Sequence, residues 1–599
     1  LLKIDILGLR TLTVIEHAVR SIEKNHGVKI DPARIPLDDG AAFDLLRRAD
    51  TIGVFQLESA GMRELLKNLQ PETFSDIIAV NALYRPGPLG SDMVSTFVDC
   101  KHGRKAIVYD HPILEPILRE TYGVILYQEQ VMRVASAMAG FRLGEADLLR
   151  KAMGKKDQSV MAEQRKKFVD GAKENGISKQ KSGKIFDLME KFARYGFNKS
   201  HSAAYAVISV RTAFLKANYP AEFVAANLTS EMDDSDRIMI LLDDARLKGI
   251  GIVPPDVNCC DVEFKVEGGK IFFGLAAVKN VGAKAIRRVV EERRKNGEFK
   301  TMFDFCSRVS SRIVNRRGVE SLIQAGAFDG LPGHRAQKMA NLERIMEKAL
   351  RSSQDAEKGQ FGLFANDESY IEDALGPCGE WNAQERLARE KESLGFFLSG
   401  HPLDKFRNLL HILRTVSTSE LKESSNGKHA VVGGLASAVK TTYDRKQNEM
   451  AFVTIEDDKG QAEAVLFSAV LGKHRSMVAE DRVLVLEGKV SRRNGGEGKL
   501  LVNSVLPISE DKPPASKEVH ISIDLGKVEE KQIDDMKRVL EGSKGTAQVF
   551  FHLTEEGRKA CVIRSKSLNV AVDYELLGAL CESVGSDNIK LLRDESRGP

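Results

Sequence analysis

The pattern of hydrophobic and polar positions predicts a long helical region followed by a shorter region of strands. Apolar residues recur at helical spacing from Thr11 to about Lys24 and through FQLESAGMRELLKNL (55–69), and residues 111–232 are largely helical. From residue 428 to residue 508 the pattern changes to five short alternating strands, which predict a small barrel. Residues 518–592 predict a compact α/β tail domain.

Glycines and prolines mark the breaks between these regions. Two prolines and two glycines in LYRPGPLGS (83–91) predict a rigid loop without a regular element. PPDVN (254–258) and DKPPASK (511–517) predict linkers, and Gly268–Gly269 predicts the turn of a hairpin over residues 263–275. The expected fold class is therefore multidomain, mixed α and β.

Composition adds a local charge to this picture. The 599 residues are 42% hydrophobic and 29% charged, as in a globular protein of roughly three to six domains. The net charge is only +4, yet the segment from Arg150 to Lys199 holds fourteen Lys/Arg against six Asp/Glu. Such a local positive field favours a phosphate-binding surface, and a solvated helical face is the open alternative.

Seven scattered cysteines without a CxxC pair or a signal peptide predict a cytoplasmic protein with reduced thiols. No apolar run approaches the ~18 residues of a membrane span. The chain starts at Leu1 rather than Met and enters directly into the apolar run LLKIDILGL, so we expect it to be a fragment of a longer protein.

The segment ARYGFNKSHSAAYAV (193–207) predicts a helix, a break and a second helix. Backbone N–H groups at the start of the second helix, with Lys199 nearby, would suit a phosphate. The alternative is that Ser200 caps the helix and His201 is an ordinary surface residue.

KIDILGL places Lys3 and Asp5 on the same face of a predicted strand, because side chains alternate along a strand. An acid facing inward from an apolar strand is costly unless it is paired or bound to a metal such as Mg²⁺. A hydrogen-bonded structural aspartate is the open alternative.

LAAVKNVGAKAIRRVVEERR (275–294) is similar to a helix-hairpin-helix, in which a tight turn directs backbone amides at a DNA phosphate. Asn280, Gly282 and Lys284 would lie at that turn, and asparagine tolerates the positive φ that such a turn requires. IVNRRGVESLIQAGA (313–327) predicts a partner unit. Plain structural connectors also adopt such turns.

Two further stretches suggest binding surfaces. QFGLF (360–364) places apolar residues in a polar region, which predicts either a short docking peptide or a loop that packs on its own domain. The predicted barrel carries four basic residues near two of its turns, which predict weak single-strand binding with little sequence preference; they are Arg445, Lys446, Arg492 and Arg493.

Several stretches taken together carry a resemblance to a known family. KIDILGLRTL, GVFQLES, LYRPGPL, YGVILYQEQVM, LLRKAMGKK and YGFNKSHSAAYA follow one another in the order found in the C-family replicative DNA polymerases. The chain resembles the C-terminal half of the α subunits of bacterial DNA polymerase III, over essentially all of its residues. The resemblance implies mainly α-helical fingers and a tandem helix-hairpin-helix, then a five-stranded OB-type β-barrel and a small α/β tail domain.

It also implies the domain limits. They are 1–25 for the end of a palm domain, 26–255 for the fingers, 256–345 for the tandem helix-hairpin-helix, 346–427 for a linker with a clamp-binding peptide at 360–364, 428–510 for the OB-fold, and 518–599 for a tail that binds the clamp-loader τ subunit.

By the same resemblance, Asp5 is one of three catalytic carboxylates that hold two Mg²⁺ ions, and the other two belong to an Asp-x-Asp motif upstream of this sequence. The implied nucleotide-binding residues are Lys3, Arg150, Lys151, Tyr195, Lys199 and His201, with His201 near the sugar. A second arginine often stands in the family where this chain has Lys151, which leaves the charge but loses bidentate geometry. Gln360, Leu363 and Phe364 correspond to the peptide that enters the sliding clamp.

The implied function is template-directed DNA synthesis in chromosomal replication, with DNA, dNTPs, the β sliding clamp and the τ subunit as partners and a proofreading exonuclease as a further candidate partner. We expect the fragment alone not to polymerise, because the other two metal ligands lie upstream. The alternative is a non-catalytic protein that binds DNA and tethers it to a clamp.

Overall fold

The computed structural model describes residues 8–90, 92–155, 158–193, 196–309, 312–357, 375–444, 446–492, 496–508, 513–555 and 558–593. The chain forms two compact units. Unit 1 comprises residues 1–381 and 389–396, and unit 2 comprises residues 382–388 and 397–599. Within the described ranges, no helix has both the length and the apolar character needed to cross a membrane.

Helices build the first two thirds of unit 1. They are α1 (Arg10–His26), α2 (Gly40–Arg47), α3 (Ala60–Leu69), α4 (Phe74–Leu83), α5 (Pro86–Leu89), α6 (Met93–Lys101), α7 (Glu115–Leu118), α8 (Gln128–Ala139), α9 (Leu143–Lys155), α10 (Gln158–Glu174), α11 (Lys179–Ala193), α12 (Lys199–Asn218), α13 (Pro220–Ser230) and α14 (Ser235–Leu247).

The predicted helix near the N-terminus is confirmed as α1, which extends slightly beyond both predicted ends. Its buried stripe of Val14, Ile15, Ala18 and Ile22 packs on α13 because these positions share one helical face. In contrast, only part of the predicted 55–69 helix forms: α3 begins at Ala60, because the Ser59 hydroxyl accepts the Met62 N–H and caps the helix.

The prediction of a loop without a regular element at 83–91 is wrong. Residues Pro86–Leu89 form the short helix α5, with proline at its start. Proline is tolerated in the first turn because its missing N–H has no helical partner there, and its φ suits the helix.

Two helical cores follow one another in unit 1. α12 packs against α2 and α4, and the buried residues of this first core include Leu46, Ile77 and Val210. The second core is formed by α8, α9, α10 and α11, which pack around the rings of Phe141, Phe168 and Phe186.

The last third of unit 1 combines a small sheet with helices. Its elements are β1 (Ile252–Val253), β2 (Lys265–Glu267), β3 (Lys270–Phe272), α15 (Ala283–Asn296), α16 (Met302–Arg308), α17 (Arg316–Gln324) and α18 (Arg335–Glu357). The predicted hairpin is confirmed, since β2 and β3 are antiparallel and flank Gly268–Gly269. α19 (Ala383–Leu394) contains residues of both units.

Unit 2 contains the predicted five-stranded barrel. Its strands are β4 (His429–Tyr443), β5 (Glu449–Asp457), β6 (Gly460–Leu466), β7 (Val483–Ser491) and β8 (Lys499–Pro507), closed in the order β4-β5-β6-β8-β7. Helices α20 (Arg407–Leu413), α21 (Thr418–Glu423) and α22 (Ser468–His474) flank it. Gly488 lies at a bulge between β7 and β8, where a Cβ atom would stand 2.0 Å from the Leu501 carbonyl oxygen.

The tail domain is α/β, as predicted. It consists of β9 (Ser516–Asp524), α23 (Glu530–Gly542), β10 (Lys544–Glu555), β11 (Arg558–Val570), α24 (Tyr574–Val584) and β12 (Ile589–Arg593). The strands form a sheet of order β11-β10-β9-β12 in which β9 and β10 are parallel.

Candidate functional site

A short backbone bridge joins the start of α8 to the start of α12. The Phe197 N–H donates to the Leu126 carbonyl (3.1 Å), and the Gln128 N–H donates to the Phe197 carbonyl (2.9 Å). The Gln128 side-chain amide also donates to the Gly196 carbonyl (3.1 Å). We call residues 126–128 and 196–197 the strap, because these bonds hold two helix starts side by side in unit 1.

The N-terminus of α12 is fully engaged. Asn198 is its cap, since the Asn198 side chain accepts the His201 N–H at 2.8 Å. Ser200 is therefore not the cap, in contrast to the alternative interpretation of this segment. The Glu129 carboxylate accepts the Lys199 N–H at 3.0 and 3.1 Å and the Asn198 amide at 3.0 Å. A carboxylate thus stands where the helix start attracts negative charge.

A row of aromatic rings runs from the strap along α12. Phe197 and His201 have ring centroids 5.5 Å apart, and His201 and Tyr205 are 4.4 Å apart. Phe55 continues the row, 5.2 Å from Tyr205. His201 is exposed, so one ring of the row faces solvent.

Arg85 closes one end of this row, and sequence reasoning did not select it. Its guanidinium carbon lies 4.4 Å from the centre of the Phe197 ring, and its Nε donates to the Ala82 carbonyl at 3.0 Å. Burial lowers the pKa of Arg85 from its ordinary value. The available signal was a cation between Tyr84 and Pro86, inside the LYRPGPL motif that carries part of the family resemblance.

The predicted phosphate-binding cations are held by acceptors of the chain. Lys199 Nζ contacts the Glu120 carboxylate at 2.7 and 2.9 Å. Arg150 donates to the side-chain oxygen of Gln128 in the strap at 3.0 Å and to Asp147 at 2.8 Å. Lys151 also contacts Asp147, at 2.7 Å. Hydrogen bonds first from Lys151 and then from Arg150 lower the pKa of Asp147.

Tyr127 in the strap is buried and lies beside Lys199. Its ring centroid is 5.5 Å from Lys199 Nζ. Burial raises the pKa of the Tyr127 phenol strongly, and the Glu120 and Glu129 carboxylates add to the shift. The phenol is therefore uncharged at physiological pH.

The structure therefore places Arg150, Lys199 and His201 around the strap, although they are far apart in the chain. Lys151 is exposed on the same turn of α9 as Arg150 and contacts Asp147 instead. Lys3, Asp5 and Tyr195 lie outside the described residues. Within the described part of the chain, no group of three His, Cys, Asp or Glu side chains is arranged to hold a metal ion.

The predicted DNA-binding turn has the expected backbone. Asn280 has a φ of 64°, and its side chain donates to the Ser321 hydroxyl of α17 at 3.1 Å. Gly282 is the N-cap residue of α15, and Lys284 is exposed in the first turn of that helix. Asn315 caps α17, and the Asn280 contact joins the turn before α15 to the middle of α17.

The basic residues of the barrel differ from one another. Lys446 is exposed. Arg492 donates to the backbone carbonyls of Gly496 (2.8 Å) and Glu423 (3.3 Å), so part of its hydrogen-bonding capacity is already used within unit 2. Arg445, Arg493 and the peptide residues Gln360, Leu363 and Phe364 lie outside the described residues.

Comparison with known protein families gives matches in three regions of the chain. The family described as the bacterial DNA polymerase III alpha subunit finger domain matches residues 11–176. A helix-hairpin-helix motif matches residues 249–338, and an OB-fold nucleic acid binding domain matches residues 430–508. The matched regions are thus a helical finger domain followed by a helix-hairpin-helix motif and an OB-fold of the nucleic-acid-binding type.

Curated relatives extend this match along the chain. This chain is 40% identical over 609 aligned residues to DNA polymerase III subunit alpha of Escherichia coli (strain K12), and the alignment covers 99% of this chain and 52% of that protein. The subunits of Pseudomonas aeruginosa and Caulobacter vibrioides are 38% and 39% identical, each over 99% of this chain. A likeness to a solved OBody bound to hen egg-white lysozyme covers 16% of this chain and 95% of that chain, at 18% identity and a TM-score of 0.14.

The chain spans about half the length of the curated relatives it matches. Over that length, it is similar to the C-terminal part of bacterial DNA polymerase III α subunits. The predicted fold class and the resemblance are both confirmed.

Proposed function

We propose that the chain supplies the fingers and the DNA-holding modules for template-directed DNA synthesis by the complete protein. The observation that supports this most is the convergence of Arg150, Lys199 and His201 on the strap, within the part of the chain that contains the polymerase finger match and the two helices after it. Nucleotidyl transfer depends on positioning and charge stabilisation, which such an arrangement supplies.

In this proposal the cations bind the triphosphate of the incoming nucleotide. Lys199 and Arg150 donate to phosphate oxygens, and the row of Phe197, His201 and Tyr205 contacts base and sugar. His201 would then exclude ribonucleotides, and Lys3 and Tyr195 would complete the pocket. Two Mg²⁺ ions at Asp5, shared with carboxylates from elsewhere in the complete protein, would activate the primer hydroxyl and neutralise the leaving pyrophosphate.

Steady-state incorporation of a single dNTP by the full-length polymerase tests the assignment. Lys199→Ala and Arg150→Ala should each lower kcat/KM about 10- to 100-fold, because each removes a charge-assisted hydrogen bond worth about 1.5–3 kcal/mol. Lys184→Ala is the control, since Lys184 is exposed on α11 and pairs with Asp110. Unchanged kcat/KM in the first two variants would contradict the proposal.

DNA binding by the helix-hairpin-helix region has a separate test. Lys284→Glu should weaken binding to duplex DNA and reduce the slope of log affinity against log salt by about one, because one phosphate contact is lost. Lys295→Glu, exposed at the other end of α15, changes the net charge equally but lies away from the turn. Equal losses in both variants would indicate only a general charge effect.

We further propose the β sliding clamp, the clamp-loader τ subunit and a proofreading exonuclease as partners of the complete protein. Replacing Gln360, Leu363 and Phe364 together with alanine should abolish capture by the clamp and leave affinity for DNA nearly unchanged. Retention of the clamp by this variant would remove the peptide from the proposal.

A non-catalytic DNA-binding and clamp-tethering protein is the second candidate, favoured by the matches to two nucleic-acid-binding modules. Photocrosslinking of a dNTP analogue to the chain discriminates between the two candidates. If Lys199→Ala abolishes labelling near the strap, the result supports the polymerase. If labelling is the same in this variant as in wild type, the result supports the non-catalytic clamp-tethering protein.

A further inference from the structure

Two carboxylates from one short segment engage Lys199 and the start of α12. Glu120, in the turn that follows α7, contacts Lys199 Nζ at 2.7 and 2.9 Å. Glu129, in the first turn of α8, accepts the Lys199 backbone N–H and the Asn198 amide. Side chain and backbone of the same lysine are thus both engaged by negative charge.

Glu129 lies at the N-termini of two helices at once. It stands in the first turn of α8, its own helix, and it accepts the first N–H of α12. The partial positive charges of both helix starts therefore act on one carboxylate, and phosphate groups are attracted by the same features. Its oxygens lie where the oxygens of a bound phosphate would accept the same bonds.

The contact between Glu120 and Lys199 is suited to exchange. The two side chains are 36% and 37% exposed, so water screens their attraction, and ion pairs of this kind contribute little to stability. A ligand with several negative charges would lose little by separating them, whereas a weakly charged ligand would not replace the carboxylates.

We infer that Glu120 and Glu129 are internal anions that occupy the phosphate-binding positions around Lys199 and give way to a nucleoside triphosphate. The inference rests on the proposed function and adds that a ligand needs several negative charges to displace the two carboxylates. Polyanionic ligands displace the carboxylates, and ligands with few phosphates do not.

Calorimetric titration of the 599-residue chain with dATP and with inorganic tripolyphosphate tests the inference. Glu120→Gln and Glu129→Gln should each tighten binding about two- to fivefold, and about tenfold together, because glutamine retains a hydrogen-bond acceptor but removes the competing charge. Affinity for the dAMP control should rise by a larger factor than affinity for dATP, which lowers the discrimination between the two nucleotides.

Glu145→Gln is the matched control. Glu145 accepts the Arg142 N–H at the start of α9 and contacts Lys167 at 2.7 Å, so it is also a capping carboxylate paired with a lysine, away from the strap. Its substitution should leave affinity for tripolyphosphate unchanged. The gain from Glu120→Gln should also vanish when Lys199 is replaced with alanine, because the two residues act on one another.

The outcomes separate the two levels of the proposal. If neither the wild-type chain nor any variant binds dATP or tripolyphosphate, the proposed nucleotide site fails and this inference fails with it. If the wild-type chain binds, Lys199→Ala weakens binding and both glutamine variants bind no more tightly, then the site stands and the internal anions are overturned. Should Glu129→Gln melt at a lower temperature than wild type, the exposed Glu120→Gln variant decides the question.

Discussion

At the scale of single residues, burial and charge conflict at Lys216. Its side chain is fully buried, and its Nζ lies 3.0 Å from the Asp244 carboxylate and 3.2 Å from that of Asp50. Lys248, which follows α14, contacts the same two carboxylates at 2.7 and 2.8 Å. Burial lowers the pKa of Lys216, and the charges of Asp244 and Asp50 oppose that shift. The four groups tie α12 to α14.

Lys216→Met is expected to destabilise unit 1 by about 3 kcal/mol, because it removes a buried partner from the buried charge of Asp244. Lys248→Met is the matched control, since it removes a cation from the same carboxylates at a site that is 22% exposed. Its expected cost is about 1 kcal/mol. Scanning calorimetry of the unit 1 transition measures both, and equal losses would contradict the argument from burial.

The same cluster makes stability depend on pH through Asp50. Burial would raise the pKa of Asp50, but the hydrogen bond from Lys248 and the charge of Lys216 lower it below the ordinary 3.8. Because the folded pKa lies below the unfolded one, the stabilisation is complete above pH 3.8 and is lost as the pH falls through the folded pKa.

The difference in the free energy of unfolding between wild type and Asp50→Asn, measured by calorimetry, should therefore be constant near neutral pH and shrink below about pH 4. Asp243→Asn serves for comparison, because Asp243 forms an exposed pair with Arg246. The Asp243→Asn substitution should change the midpoint temperature of the unit 1 transition little at any pH. A difference for Asp50→Asn that persists unchanged in strong acid would exclude its charge as the cause.

At the scale of elements, a close approach between α8 and α10 depends on one glycine. A Cβ atom on Gly171 would lie 2.3 Å from the carbonyl oxygen of Ala139, which is backbone and has little freedom to move. The two helices belong to the core that also positions α9, the helix of Arg150. Gly171 therefore contributes to the site through packing.

Gly171→Ala should destabilise unit 1 by about 1–3 kcal/mol, because the added methyl group forces α10 away from α8. Gly144→Ala is the control within α9, where a Cβ atom would have no neighbour within 4 Å. That substitution should be neutral or stabilise by up to about 1 kcal/mol, since alanine favours the helix. A lower midpoint for Gly144→Ala than for Gly171→Ala would refute the packing argument.

At the scale of the whole molecule, each of the two compact units has cores of its own. The barrel core includes Val453 and Leu486, and the tail core includes Val519 and Val549, all within unit 2. Unit 1 has separate helical cores. Domains with independent cores are expected to unfold in separate transitions.

Leu486→Ala should therefore lower the transition of unit 2 alone, by about 2–5 kcal/mol, because it empties part of the barrel interior. Leu242→Ala, in α14, is the reciprocal control and should lower only the transition of unit 1. Both side chains are almost completely buried. A single calorimetric transition that shifts equally in both variants would show that the units unfold together.

Much of the fold was predictable because it rests on local patterns. The barrel strands, the hairpin at Gly268–Gly269, helix α1 and the positive φ of Asn280 all follow from alternation, helical spacing or turn chemistry over a few residues. The errors at α3 and α5 are also local, since a serine cap and a proline in a first turn decided them. The order of motifs was sufficient to indicate the polymerase family.

The sequence by itself determined most of the elements and their buried faces, because each depends on residues that are neighbours in the chain, and the order of its motifs indicated the resemblance. Only the tertiary structure decided that Gln128 meets Gly196, that Arg85 stacks on Phe197, and that Glu120 and Glu129 engage Lys199. These partners are separated by about 70 to 110 residues, and packing of the helical cores, rather than any local pattern, brings them within hydrogen-bonding distance or ring contact.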